Sequence, residues 1–190
     1  KLDLMTVMTE IRKRADDDTI VTVDAGNFSG WAMRFMQFRQ LRTFAAPTSG
    51  AMGYAVPAAV GAALAFPDRK VFGFVGDGGF MMTSQELATA KQYALPVVAV
   101  VFDNGAYGNV RRDQIRRFQG RELGSYLENP DFLKLAESFG VMGLRAESPA
   151  ALGPALETAL AAGEPALIHC PVEFGTEADP WPSIIAGRRH

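Results

Sequence analysis

Two stretches of the chain are apolar with almost no interruption. "KVFGFVG" runs from Lys70 to Gly76, and "LPVVAVVFD" from Leu95 to Asp103. Runs of this length without alternation fit strands covered on both faces, as in a parallel sheet. Around them the pattern alternates between short strands and helical stretches. Asp3 can cap a helix through Met5, Met8, Ile11 and Arg12. "TIVTVDAG" reads as a strand ending in a polar turn, Phe28 to Phe38 as a helix and "RTFAAP" as a short strand. "TSGAMGYAVPAAVGAALAFP" is a glycine-rich turn and an alanine-rich helix that stops before Pro67. "TSQELATAKQYA" is a helix with Thr83 or Ser84 as cap and Glu86 in its first turn. Another helix starts near Tyr107. "NPDFLKLAESFG" is capped by Asn129 or Asp131 and closed by Gly140. "VMGLRAE" is a strand, Pro149 to Ala162 a helix, and "PALIHCPVE" the last strand. The tail from Gly175 is polar and contains proline. The expected fold class is α/β: a three-layer α/β/α domain with a mostly parallel central sheet.

In such sheets ligands sit beyond the carboxyl ends of the strands, near a topological switch point. Three polar, glycine-bearing turns fall at such ends: "DAGN" at Asp24–Asn27, "GDGG" at Gly76–Gly79 and "DNG" at Asp103–Gly105. Gly76, Gly78 and Gly79 let backbone N–H groups approach a ligand, and the helix that follows favours an anion at its start. Asp77 in the same turn would repel a phosphate, and a divalent cation between the two resolves the conflict. Mg2+ takes one or two carboxylates together with phosphate oxygens. Asn104 can offer an amide oxygen, and the turn after it a backbone carbonyl. Asp-Gly and Asn-Gly are also common turn dipeptides, so either alone reads as a turn. Their pairing at two buried strand ends points to a metal–diphosphate site. A Rossmann nucleotide site is the competitor. Neither "GDGGFM" nor the turn after the first strand has the G-x-G-x-x-G pattern, and there is no Walker A sequence.

Composition narrows the class only slightly. The 190 residues suffice for one domain, and 19 Lys+Arg against 21 Asp+Glu leave a formal charge of -2, with no basic field for nucleic acid. Arg111, Arg112, Arg116 and Arg117 read as a solvated face or subunit contact. The single cysteine, Cys170, excludes an intramolecular disulfide and reads as a small buried hydrophobe. No signal peptide is visible, and the apolar stretch Ala55 to Phe66 is too short to span a bilayer. No membrane association and a cytoplasmic location are the expectations. The start at "KLDLM", without an initiator methionine, leads us to expect a segment of a longer protein.

Gly-Asp-Gly followed at this interval by Asp103-Asn104 resembles the thiamine diphosphate signature. "TSQELATAKQYALPVVAVVFDNGAYG", "TSGAMGYAVPAAVGAALA" and "NPDFLKLAESFG" resemble the acetolactate synthase branch of that family, which also holds pyruvate decarboxylase-like and benzoylformate decarboxylase-like enzymes. The likeness runs from about Leu2 to about Glu173 and matches only their C-terminal, diphosphate-binding (PP) third. The expected domain is therefore residues 1–175, with a tail at 176–190 and the pyrimidine-binding and central domains outside the chain.

The resemblance implies thiamine diphosphate and Mg2+ as cofactors. Asp77, the Asn104 side chain and the Ala106 carbonyl would ligate the metal. Gly76, Gly78 and Gly79 would meet the diphosphate, as would Ala25, Gly26, Asn27 and Phe28. Acetolactate synthases usually carry Gln-His where this chain has Asn27-Phe28, so a polar side-chain contact is expected to be lost there. Tyr107 and Gly108 would close over the phosphates. Met52 would bend the cofactor, and the Gly50 carbonyl would accept from its 4'-amino group. These two are the residues the resemblance assigns to catalysis.

The activating glutamate would come from a pyrimidine-binding domain or subunit, since Glu86 and Glu122 are not substitutes. The chain alone would hold about half an active site and be inactive. The implied substrate is a 2-oxo acid, for a decarboxylase or carboligase. Asp113 and Asn109 stand where acetolactate synthases usually place tryptophan and methionine. Any FAD of the parent enzyme would not be bound by this chain. The apolar helix after Gly53 and the methionines at 33, 36, 81 and 82 need partners, and an interface among them implies self-association as a homo-oligomer. The alternatives are a non-catalytic cofactor-binding or assembly module, or one subunit of a two-chain decarboxylase. His169 and His190 read as structural or surface residues.

Overall fold

A computed structural model of the chain describes residues 1–173. The expected tail at 176–190 and His190 lie outside the described residues. Six strands form one sheet: β1 (Ile20–Val23), β2 (Phe44–Ala45), β3 (Val71–Gly76), β4 (Val97–Asp103), β5 (Met142–Arg145) and β6 (Ala166–Pro171). Their order is β2-β1-β3-β4-β6-β5, and every pairing is parallel. The three-layer α/β/α expectation holds.

Alternation along the strands explains the layers. Val21, Val23, Phe72, Phe74, Val98, Val100, Phe102, Ile168 and Cys170 share one core. Against them pack α1 (Leu4–Arg12), α2 (Asn27–Phe35) and α8 (Pro149–Ala162). Val75, Val101 and Leu167 face the other way, with α3 (Ala55–Ala65), α4 (Asp77–Thr83), α5 (Glu86–Gln92) and α7 (Phe132–Ser138). The central strands are buried on both faces, which is why they carry no polar alternation.

Local signals set some of the helix ends. The Asp3 carboxylate accepts from Thr6 N at 2.9 Å, Ser148 caps α8 by accepting from Ala151 N at 3.3 Å, and Gly163 (φ 62°) ends α8 in the left-handed conformation. The sequence expectation fails between 77 and 94. The helix there begins at Asp77 rather than near Thr83, and it breaks at Ser84 and Gln85 before α5. Neither Thr83 nor Ser84 caps α5, and Thr83 Oγ1 is buried without a partner. Two glycines in the first turn of α4 are poor helix formers, and packing overrides them: Phe80 is fully buried edge-on to Phe132, with centroids 5.6 Å apart.

The strand order places the site. β2 lies on one side of β1 and β3 on the other, so consecutive connections leave in opposite directions there. The carboxyl ends of β1, β3 and β4 are neighbours in the sheet, and crevices open at such points.

Candidate functional site

At that edge lies a cleft of about 600 Å³, counted with its open mouth. Ala25, Gly26, Asn27 and Phe28 line it after β1, and Gly76, Asp77, Gly78 and Gly79 after β3. Asn104, Ala106, Tyr107 and Gly108 follow β4, and Met52 closes one side. Gly50 is the exception among the residues singled out from sequence. It is exposed, holds a left-handed φ of 68° and does not line the cleft.

The two strand ends are tied by one amide. Asp77 is buried, and its Oδ2 accepts from Gly105 N at 3.0 Å and from Asn129 Nδ2 at 2.8 Å. The same Asn129 nitrogen donates to Asp103 Oδ1 at 3.0 Å. Asp103 Oδ2 in turn lies 2.8 Å from His169 Nε2. Burial pushes the Asp77 carboxyl up to about 6; the Asn129 bond opposes this and the Asp103 charge adds to it. Burial also works to raise Asp103, but the bonds from His169 and Gly105 outweigh it and hold that carboxyl below its usual range. Asp77 is therefore the acid of the pair that gains most from a cation. Asn104 folds back on its own turn, with Oδ1 accepting from Ala106 N at 3.0 Å. An amide oxygen has a second lone pair, so this bond does not exhaust it.

Asp24 supplies the second tie. It is 1% exposed, and burial raises its carboxyl against the bonds it accepts. Those bonds come from Gly53 N at 2.7 Å and Ala55 N at 2.6 Å, which follow Met52 in the chain. Ala25 N donates to Ala51 O at 3.1 Å in the same place. The end of β1 thus fixes where Met52 stands. Glycine is obligatory opposite it: a Cβ on Gly79 would lie 2.1 Å from Asp24 Oδ2. A Cβ on Gly78 would lie 2.5 Å from the Tyr107 ring, which covers that glycine.

Sequence reading missed Asn129 and Asp24 as site residues. Asn129 had been weighed only as a cap. Asp131 takes that role, accepting from Leu133 N at 3.0 Å and Lys134 N at 3.3 Å, and this frees Asn129 to bridge the acids. His169 is buried and structural as expected, although its bond to Asp103 was not foreseen. The arginines ride on α6 (Gly108–Arg117), which buries no residue. Arg111 pairs with Glu122 at 2.5 Å and stands over the Tyr126 ring, and Arg112 Nη1 donates to Asn27 Oδ1 at 3.0 Å.

The doubly wound parallel sheet and this glycine-lined, acid-floored cleft define a domain built to hold a polyanionic cofactor at its strand ends. A family model described as "Thiamine pyrophosphate enzyme, C-terminal TPP binding domain" matches residues 24–170. The chain belongs to that family. It is 39% identical over 189 residues to a probable acetolactate synthase large subunit of Methanocaldococcus jannaschii, covering 98% of this chain and 31% of that protein. It is 36% identical to the acetolactate synthase isozyme 2 large subunit of Escherichia coli, covering 95% and 33%. Among solved structures it resembles the thiamine diphosphate-dependent 4-hydroxybenzoylformate decarboxylase of Rhodococcus jostii RHA1. There the TM-score is 0.87 at 34% identity, over 92% of this chain and 33% of that one. The chain thus spans about a third of the length of these relatives. Among the described residues no helix is long and apolar enough to cross a membrane.

Proposed function

We propose that this chain, over residues 1–175, is the diphosphate- and Mg2+-holding part of a thiamine diphosphate-dependent 2-oxo acid decarboxylase or carboligase. One observation carries the reading: Asp77 and Asn104, from different strand ends, meet at one glycine-lined cleft. The donor set fits the metal. A carboxylate, an amide oxygen and the Ala106 carbonyl are hard oxygen donors, the kind Mg2+ selects. Among the described residues no group of three or more His, Cys, Asp or Glu gathers as a metal cage. That suits an ion completed by the phosphates it binds. Gly78 and Gly79 leave unpaired N–H groups at the start of α4 for those phosphates.

When bound, the cofactor supplies an electron sink for decarboxylation, and the protein supplies orientation and electrostatics. Met52, held by the end of β1 through Ala25 on the residue before it and Asp24 on the residues after it, supports the cofactor's bend, with the Gly50 carbonyl as acceptor for its amino group. Tyr107 and Gly108 shut water from the phosphate end. No glutamate among the lining residues can serve the pyrimidine, so a pyrimidine-binding domain or partner subunit must bring one. Met52, Met81 and Met82 are 38%, 43% and 48% exposed. Met82 Cβ lies 3.2 Å from the Cβ position of Gly53, which sets this exposed apolar side chain next to the Met52 turn, a surface suited to that partner. The substrate class is the 2-oxo acid. Asn109 and Asp113, placed where acetolactate synthases carry apolar residues, leave the acceptor open.

Calorimetric titration of thiamine diphosphate with and without Mg2+ tests this. Binding should require Mg2+ and vanish in Asp77→Ala. Binding indifferent to Mg2+ or to Asp77 would refute the metal site. Turnover should appear only when a pyrimidine-binding domain is added. Its failure to appear would favour a non-catalytic module.

A further inference from the structure

Among the described residues the cleft wall includes Asp24 and Asp77 but no lysine, arginine or histidine. A diphosphate carries more negative charge than one divalent cation neutralises, and Asp77 adds to the excess. Asn27, 5% exposed and lining the cleft, is the first residue of α2. Its Oδ1 accepts from Arg112 Nη1 at 3.0 Å. A guanidinium only donates, so the amide oxygen must face Arg112. The end left for the cleft is then the NH2 group, a donor. An amide free to turn over would offer its oxygen as readily, and an acceptor there would repel phosphate.

We propose that Arg112 is a positioning residue for the diphosphate: it locks the Asn27 amide with its N–H groups toward the anion and brings a positive charge to a residue of the cleft wall. This rests on the diphosphate reading above. It also revises the expectation that a polar contact is lost at Asn27-Phe28. Phe28 does leave the polar role, stacking on Phe102 with centroids 5.1 Å apart. Asn27 keeps that role through a partner on α6, 85 residues away in sequence.

The test is titration of inorganic pyrophosphate with Mg2+ into the wild-type chain, Arg112→Met, Arg112→Lys, Asn27→Ala and the Arg112→Met/Asn27→Ala double variant. Arg112→Met should weaken binding by about tenfold or more, the scale of one charge-assisted hydrogen bond. Arg112→Lys should recover part of it, since an ammonium also donates to Oδ1. The double variant should be no weaker than Asn27→Ala with the charge effect added, which marks coupling between the two. The ligand-free unfolding midpoint of Arg112→Met should stay at the wild-type value, because Arg112 is only half-buried. Arg112→Met binding as tightly as wild type would overturn the proposal, as would a lowered midpoint with affinity intact, the mark of a purely structural pair. Fully independent effects of the two substitutions would also overturn it. If the wild-type chain binds no pyrophosphate with Mg2+, the diphosphate reading fails first and takes this inference with it.

Discussion

Two carboxylates share one amide hydrogen-bond donor at the floor of the cleft, and that arrangement sets a pH dependence. The folded Asp77 carboxyl sits near 6, above its ordinary value of 3.8. A raised acid contributes stability that is present below its unfolded value and lost as pH rises through its folded one. Without metal, the chain should therefore lose stability between about pH 4 and 6, from the unfolded value to the folded one, as buried Asp77 ionises. Asp103, held low, acts in a separate window: its contribution is present at neutral pH and disappears only under more acidic conditions. Thermal unfolding in chelator should show this fall of the midpoint from about pH 4 to 6 in wild type and its loss in Asp77→Asn. On the proposed reading, the same ionisation readies Asp77 for the metal. Affinity for Mg2+ with pyrophosphate should fall by about tenfold per unit below pH 6, since one proton competes with the ion. Asn129→Ala removes a bond that favours ionised Asp77, so it should move that fall to higher pH. An unshifted profile would show that the bridge does not tune the acid. None of this was legible in sequence. Asn129 follows Asp77 by 52 residues, and an Asn-Pro-Asp run signals a helix cap to any local reading.

Local signals and distant packing divide the elements between them. The continuous apolar runs of β3 and β4 announced buried parallel strands, Asp3 announced a helix start, and the bounds Pro149 to Ala162 matched α8. Those signals live in adjacent residues. The start of α4 does not: Gly78 and Gly79 read as loop because what demands them, the Tyr107 ring and the Asp24 carboxylate, comes from other elements. The same holds for the Met52 turn, whose position depends on Asp24 at the end of β1. A pair of glycine substitutions separates the two kinds of cause. Gly79→Ala drives a Cβ into an Asp24 oxygen that is already committed to Gly53 N. It should cost about 1–3 kcal/mol of unfolding free energy, the usual range for overpacking. Gly61 sits inside α3 with nothing within 4 Å of its Cβ position. Gly61→Ala should instead stabilise by about 0.5–1 kcal/mol through helix propensity alone. Urea titration of the two variants reads both signs, and a stable Gly79→Ala would mean the Asp24 tie is loose.

At the scale of the whole molecule, the sheet order puts three polar turns on one edge, and the exposed apolar side chains flank the same opening. Fold class and cleft were legible because strand ends in a parallel sheet collect on one side whatever their separation in sequence. The outer face was legible only as unplaced methionines: the structure sets Met82 beside the Met52 turn, whereas Met36 is buried in the core. Half-exposed apolar side chains clustered at a binding cleft mark a surface that a partner covers. In its absence a second copy is the apolar surface at hand. Light scattering should then show the mean mass of the chain rising with concentration. Met81→Glu together with Met82→Glu should weaken that association by roughly tenfold or more, since each methionine forfeits part of the ~1.5–3 kcal/mol available from burial. Stability should change by no more than about 0.5 kcal/mol, because both positions are solvent-facing in the single chain. Adding a pyrimidine-binding domain should dissolve the self-associated form if the two compete for this face. A uniform monomer at high concentration, or a self-association indifferent to both glutamates, would place the docking surface elsewhere on the molecule.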